Sequence, residues 1–301
     1  MTPYDLAIYL NPRGDQREEA MRAIADHGLT RIGTDGCPWD VQKNRDELES
    51  FAGLMRKYGL TLQSLHGEGG VVGPLDKPQD GQIRFQRNVL DRARFLGARC
   101  VVFHNRYVSG QAELLTASQI AKMGVEKFDE VAAGVLRATC RYAAQSGIRI
   151  ALENSVPSTI YSTGVEDILP VIERVAEPNL GICLDSGHAH LCGRVLKDEI
   201  QKAGQRLFDT HFHDNIGRWD WRKPIGDCDL HLAPGLGTIN WPDAVKALHS
   251  IGFPGPVVLE GILGPGDKLK ENPWKGADTY HDIISLAIRN WRAFERLAER
   301  V

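Results

Sequence analysis

Six short apolar runs in this 301-residue chain each end in a group able to hold a cation or move a proton. Leu65 is followed by His66, Phe103 by His104, and Leu152 by Glu153. Leu184 is followed by Asp185, with His188 three residues on. Thr210-His211-Phe212-His213-Asp214-Asn215 and Leu259-Glu260 complete the series. Taken singly, such an acid is a helix cap or a solvated loop residue, and such a histidine a hydrogen-bonded structural group. Gathered at one place, carboxylates repel and lose hydration, so they must protonate or share a cation. Glu153, Asp185 and Glu260 with one imidazole form a hard, oxygen-rich set that suits Mn²⁺ first, and Co²⁺, Mg²⁺ or Zn²⁺ as well. Recruiting His66, His104, His188 and His231 tips the balance towards zinc and towards more than one ion. Asp229 and His231, at i and i+2, are expected to point the same way from an extended segment.

The elements that must position these groups follow a repeated unit. An amphipathic stretch ends in glycine and a β-branched or apolar run follows, at Gly28, Gly59, Gly97, Gly147 and Gly252. Helix, glycine, strand, many times over, is the pattern of βα units around a parallel sheet. Eight strands are expected: Leu6–Leu10, Arg31–Thr34, Thr61–Leu65, Cys100–Phe103, Arg149–Leu152, Gly181–Leu184, Phe208–Phe212 and Pro256–Leu259. Leu48, Phe51, Met55 and Tyr58 share one helical face, and Ile284, Ile288 and Trp291 another. Pro38 and Pro242 stand where helices would start. The long segments Gly67–Gly81, Asn105–Ser118, Asn215–Asn240 and Gly261–Lys275 all follow strands, so only one rim carries elaborate loops. That asymmetry predicts an α/β fold, a closed (β/α)8 barrel spanning residues 1–301 as one domain, with its site at the C-terminal strand ends. No strand leads into a G-x-G-x-x-G turn, which argues against an open doubly wound sheet.

Composition is that of an ordinary globular chain, with 42% hydrophobic and 25% charged residues, which excludes disorder, collagen and a membrane bundle. No apolar run approaches the ~18 residues that cross a bilayer, and no secretory signal is visible, so a cytoplasmic location and no membrane partner are expected. A net charge of −3 weighs against nucleic acid as a partner. The six cysteines have no C-x-x-C spacing and read as buried, reduced thiols. A homo-oligomer is compatible with all of this.

Ala151-Leu152-Glu153-Asn154, Ile182-Cys183-Leu184-Asp185-Ser186-Gly187-His188, His211-Phe212-His213-Asp214-Asn215, the Pro234-Gly235-Leu236-Gly237-Thr238-Ile239-Asn240-Trp241 loop and Val258-Leu259-Glu260-Gly261 resemble the xylose isomerase-like TIM-barrel superfamily, in particular its sugar phosphate isomerase/epimerase group. The resemblance runs from Tyr4 to the last helix. It implies that Glu153, Asp185, His211 and Glu260 ligate one divalent metal ion, and that Glu153 and Glu260 are also the catalytic acid–base pair. It implies that His188 binds substrate, with Arg218 or Arg222 helping. The same positions resemble the three-zinc array of endonuclease IV, in which His66, His104, His188, Asp229 and His231 would hold further ions.

Two enzymatic readings follow, one favoured. In the first, the chain removes the proton α to a carbonyl of a sugar or cyclitol, giving epimerisation, isomerisation or a related elimination. Its partner is a small carbohydrate. Trp219, Trp221, Trp241 and Trp274 lie in or beside the long loops, where rings stack on sugar C–H groups; Trp221 is the chosen substrate contact and Trp241 is read as loop packing. The alternative is an endonuclease IV-like multi-zinc phosphodiesterase acting on DNA.

Overall fold

The structure is a computed structural model and describes residues 2–10, 15–35, 41–263 and 279–300. Eight parallel strands appear: β1 (Leu6–Leu10), β2 (Arg31–Asp35), β3 (Thr61–Val72), β4 (Cys100–Val108), β5 (Arg149–Glu153), β6 (Leu180–Asp185), β7 (Leu207–His211) and β8 (Val257–Leu259). Each pairs with its sequence neighbour, and β8 pairs with β1. Between β7 and β8 a bridge joins Phe212 to Leu259, and the Phe212 amide donates to Val258 O at 2.9 Å. The barrel is therefore nearly closed, as the strand count and loop asymmetry predict. Cys37, Pro38, Trp274 and most of Gly261–Lys275 lie outside the described residues.

Helices on the outside supply the other layer: α1 (Asp15–Asp26), α2 (Arg45–Lys57), α3 (Asp80–Leu96), α4 (Glu113–Met123), α5 (Val125–Ala144), α6 (Val165–Val175), α7 (Ser186–Leu191), α8 (Leu196–Ala203), α9 (Trp241–Ser250) and α10 (Tyr280–Glu299). The predicted faces are buried: Leu48, Phe51 and Met55 on α2, and Ile284 and Trp291 on α10. Gly97 shows why glycine ends such a helix. Its φ of 75° is left-handed, and Ala98 N then reaches back to Ala93 O at 2.8 Å, satisfying a terminal carbonyl. Pro242 occupies the first turn of α9, where its missing N–H costs little. Cys100, Cys140, Cys183, Cys192 and Cys228 are free thiols. Among the described residues, no helix is long and apolar enough to cross a membrane.

Two segments expected to be loops are strand. β3 runs on through Gly67–Val72 and β4 through Asn105–Val108, so His66 and His104 sit within strands rather than at their ends. Gly70 allows it: a Cβ there would lie 1.9 Å from Tyr107 O, so only glycine lets the two extensions approach this closely. The register of the β3–β4 pair shifts between His66 and Gly70, and again between Gly70 and Val72.

Beneath the rim, Phe212, Trp241 and Trp291 pack with ring centroids 5.6–6.2 Å apart, in the range where edge and offset contacts add to burial. Both indoles find acceptors: Trp241 Nε1 donates to Asp214 Oδ2 at 2.8 Å and Trp291 Nε1 to Glu295 Oε1 at 3.0 Å. Trp241 is thus loop packing, as its sequence context suggests.

Candidate metal centre

Barrel closure brings the four central residues together. Glu153, Asp185, His211 and Glu260 each place one ligand atom within 4.8 Å of the others, and all four are buried. The rim motifs lock the strands that carry them. Asn154 Oδ1 accepts from Asp185 N at 2.8 Å while Asn154 Nδ2 donates to Asp185 O at 3.0 Å, clamping β5 to β6. Ser186 Oγ donates to His213 O at 2.7 Å and accepts from His213 N at 2.9 Å, tying α7 to the residues after β7. Asp185 also caps α7, accepting from His188 N at 2.7 Å through Oδ1. The helix-cap reading of this aspartate is met through Oδ1, which leaves Oδ2 for other contacts because a carboxylate has two oxygens.

Glu153 divides its oxygens in the same way. Oε1 lies 2.7 Å from His211 Nδ1, and Oε2 lies 2.9 Å from His66 Nε2 and 3.1 Å from His104 Nε2. Glu260 Oε1 stands 3.3 Å from the same His211 Nδ1. A second group is centred on Asp229, whose Oδ2 lies 3.2 Å from His188 Nε2 and 3.0 Å from His231 Nε2. All nine residues expected to ligate or flank an ion are therefore in one network of alternating acids and imidazoles. The route taken by Asp229 and His231 differs from expectation. His231 has φ +47°, so the pair converges by a backbone turn rather than along an extended segment.

The electrostatics follow from this crowding. Burial alone would raise the Glu153 carboxyl, but His211, His104 and His66 outweigh it and hold it well below the usual carboxylate range. Burial, Glu153 and Asp185 push Glu260 up to about 7, against the pull of His211. Burial would lower His211, yet Glu260 and Glu153 raise it to about 10. Burial would likewise lower His188, yet Asp185 and Asp229 hold it well above its usual range. Three buried carboxylates around one imidazole carry more negative charge than that imidazole neutralises. The donor set fits a divalent cation, which Glu153, Asp185, His211 and Glu260 would hold.

Several participants have no assigned role from sequence. His213 Nε2 lies 3.1 Å from Asp185 Oδ2, and its ring stacks on His231 at 4.0 Å between centroids. Tyr9, at the end of β1, is buried, donates to Asp35 Oδ1 at 2.9 Å and stands edge-on to His211 at 5.4 Å. Burial, Asp35 and Glu260 push its hydroxyl far up, so it remains a donor. His213 is legible as the second histidine of His-x-His-Asp; nothing local marks Tyr9. Arg218 and Trp221 lie on the exposed loop after Asn215 and line an open cavity of about 700 Å³ with Ile216, Trp219 and Lys223. Arg222 is paired with Asp220 on the same loop.

Gly187 shows how tightly the second group is packed. A Cβ there would fall 1.9 Å from His213 Cε1. Gly187→Ala is expected to destabilise by about 1–3 kcal/mol through overpacking. Removing the obstruction in Gly187→Ala/His213→Ala should recover part of that loss in denaturant unfolding; strict additivity of the two changes would show that they do not meet.

Comparison with known proteins agrees with this fold. The xylose isomerase-like TIM barrel family model matches residues 15–275. Inosose isomerase of Bacillus subtilis strain 168 is 28% identical over 177 residues, 58% of this chain and 58% of that protein. The chain spans 54% and 70% of the lengths of two further curated relatives, both uncharacterised. A crystal structure of the IOLI protein with a binding zinc atom superposes with a TM-score of 0.70 at 20% identity, over 96% of this chain and 98% of that one. D-psicose 3-epimerase solved in the presence of D-fructose has a TM-score of 0.70 at 16% identity, over 98% and 99%. The likeness to these structures is one of fold; the family match, which covers most of the sequence and every central carboxylate, places the chain in the xylose isomerase-like TIM barrel family.

Proposed function

We propose that the chain is a divalent-metal-dependent isomerase or epimerase that moves a proton at the carbon next to a carbonyl of a sugar or cyclitol. One observation carries the reading: two glutamates, Glu153 and Glu260, approach the same His211 nitrogen at 2.7 and 3.3 Å, and burial and charge hold them in different protonation states. An acid–base pair needs that separation, with one partner ready to take a proton and the other ready to give one near neutrality. The relatives named inosose isomerase and D-psicose 3-epimerase support the substrate class.

When bound, the ion supplies positive charge to the oxygen on which charge builds as the C–H bond breaks. Glu153, held ionised by its histidine neighbours, accepts the α-proton, and Glu260 returns one through the oxygen that an ion would leave free. Return to the other face gives the epimer and return to the neighbouring carbon the isomer. His188, fixed by Asn154 O at 3.0 Å and Asp229 at 3.2 Å, orients a substrate hydroxyl. Arg218 and Trp221 meet the distal part of the sugar. Mn²⁺ is the ion favoured for the central carboxylates. His66 and His104 beside Glu153, and His188, Asp229 and His231 beside Asp185, are imidazole-rich and suit zinc as additional ions.

The test is solvent deuterium incorporation across a panel of ketoses, inososes and 3-oxo-glycosides, with elemental analysis of the purified protein. Carbon-bound deuterium in a carbonyl sugar supports the reading. Because His66 and His104 converge on one oxygen of Glu153, the array also has the donors for a multi-zinc phosphodiesterase. Three zinc ions per chain, nicking of an abasic duplex and no exchange on any sugar would establish that second reading instead.

Cation affinity is expected to fall on acidification. Glu260 holds a proton below about pH 7, and His211 holds one up to about pH 10, so an incoming ion must displace at least one. Each displaced proton weakens binding by about tenfold per pH unit on the acid side of its pKa. Chelator competition at pH 6, 7 and 8 reads this directly, and a flat profile would contradict it.

A further inference from the structure

Asp209 is fully buried on β7, two residues before His211 and therefore on the same face of the strand. Neither of its carboxylate oxygens makes a hydrogen bond of normal geometry among the described residues. A buried carboxylate without partners is costly, and such groups persist where something else uses them. His211 shows the complementary lack. Its Nδ1 faces Glu153 and Glu260, while its Nε2, also buried, has no partner. The Ser64 hydroxyl, buried in the same interior, stands near enough to Asp209 to favour its ionised form, but makes no hydrogen bond of normal geometry among the described residues.

We infer that Asp209 is a positioning residue for the cation site, accepting the His211 Nε2–H through one buried water that Ser64 also binds. The inference rests on the reading of His211 as a ligand. If Nδ1 gives its lone pair to the ion, the ring's single proton must sit on Nε2, and that nitrogen is buried in the barrel interior. A carboxylate there fixes this tautomer, holds the ring in the plane its lone pair needs, and makes the imidazole a better donor. Strand alternation supplies such a carboxylate at no extra cost in chain: position 209 is the next inward residue below 211.

Two experiments decide it. In the zinc-loaded protein with ¹⁵N-labelled histidine, His211 should carry its proton on Nε2, and that proton should exchange slowly with solvent. Asp209→Ala should weaken zinc binding about 10–100-fold by chelator competition and speed that exchange. Asp209→Asn, which keeps an acceptor oxygen, should retain most of the affinity. A His211 proton found on Nδ1 overturns the inference even if Asp209→Ala does not fold. Wild-type affinity and unchanged exchange in Asp209→Ala overturn it while leaving the metal site standing. Absence of zinc binding by the wild-type protein overturns both.

Discussion

Glu153→Gln is expected to abolish carbon–deuterium exchange, lowering it about 10³-fold or more, and to strip the protein of most of its metal. The size of the effect comes from the number of groups that depend on this one carboxylate. His211, His66 and His104 all lie within 3.1 Å of it, so the glutamine amide must turn an N–H towards at least one imidazole nitrogen. Loss of a general base alone typically costs about 10²–10⁴-fold. Loss of a ligand that serves two groups of donors adds to that. Glu260→Gln should also stop exchange but keep more metal, since Glu260 meets the network through one contact at 3.3 Å. Parallel measurement of exchange and metal content separates the two roles. A Glu153→Gln protein with full exchange would remove the acid–base proposal.

Asp214→Ala is expected to be the most destabilising single change at the rim, by about 3–5 kcal/mol. Its carboxylate accepts from Asn215 N at 3.0 Å, Gly235 N at 2.9 Å, Ile239 N at 3.2 Å and Trp241 Nε1 at 2.8 Å. Truncation leaves four donors in a largely buried place, and each unsatisfied group costs about 1–3 kcal/mol before relaxation and water entry reduce the sum. For a chain of this size the melting temperature should drop by roughly 6–20 °C, with about 2–4 °C per kcal/mol. The loop from 229 to 240, which carries Asp229 and His231, is the part that these bonds hold. Thermal unfolding together with zinc binding tests the claim; a fall of less than 2 °C would show that the loop has other anchors.

Much of this arrangement was legible in the residues. Glycine-terminated helices followed by apolar runs located eight strands to within one or two residues at their starts, because caps and periodicity act over a turn or two of chain. The position of an acid or imidazole just past such a run marked the central carboxylates and the histidines beside them. Strand ends were less visible. Gly67–Val72 looked like loop because its glycines lower strand propensity, yet Gly70 is what lets the extension pair with β4.

By itself the amino-acid sequence determined the βα order, the caps, and the identity of the groups that could meet at the rim. Those features depend on neighbours a few residues apart. The tertiary structure decided which atoms meet: that Glu153 splits its oxygens between His211 and the His66–His104 pair, that His213 stacks on His231, and that Asp209 and the Nε2 of His211 are buried in one interior. Each of these depends on strands from distant parts of the chain being curved onto a common axis. A spacing along one strand cannot encode that curvature, because it arises only when β1 pairs with β8 and Phe212 bridges to Leu259.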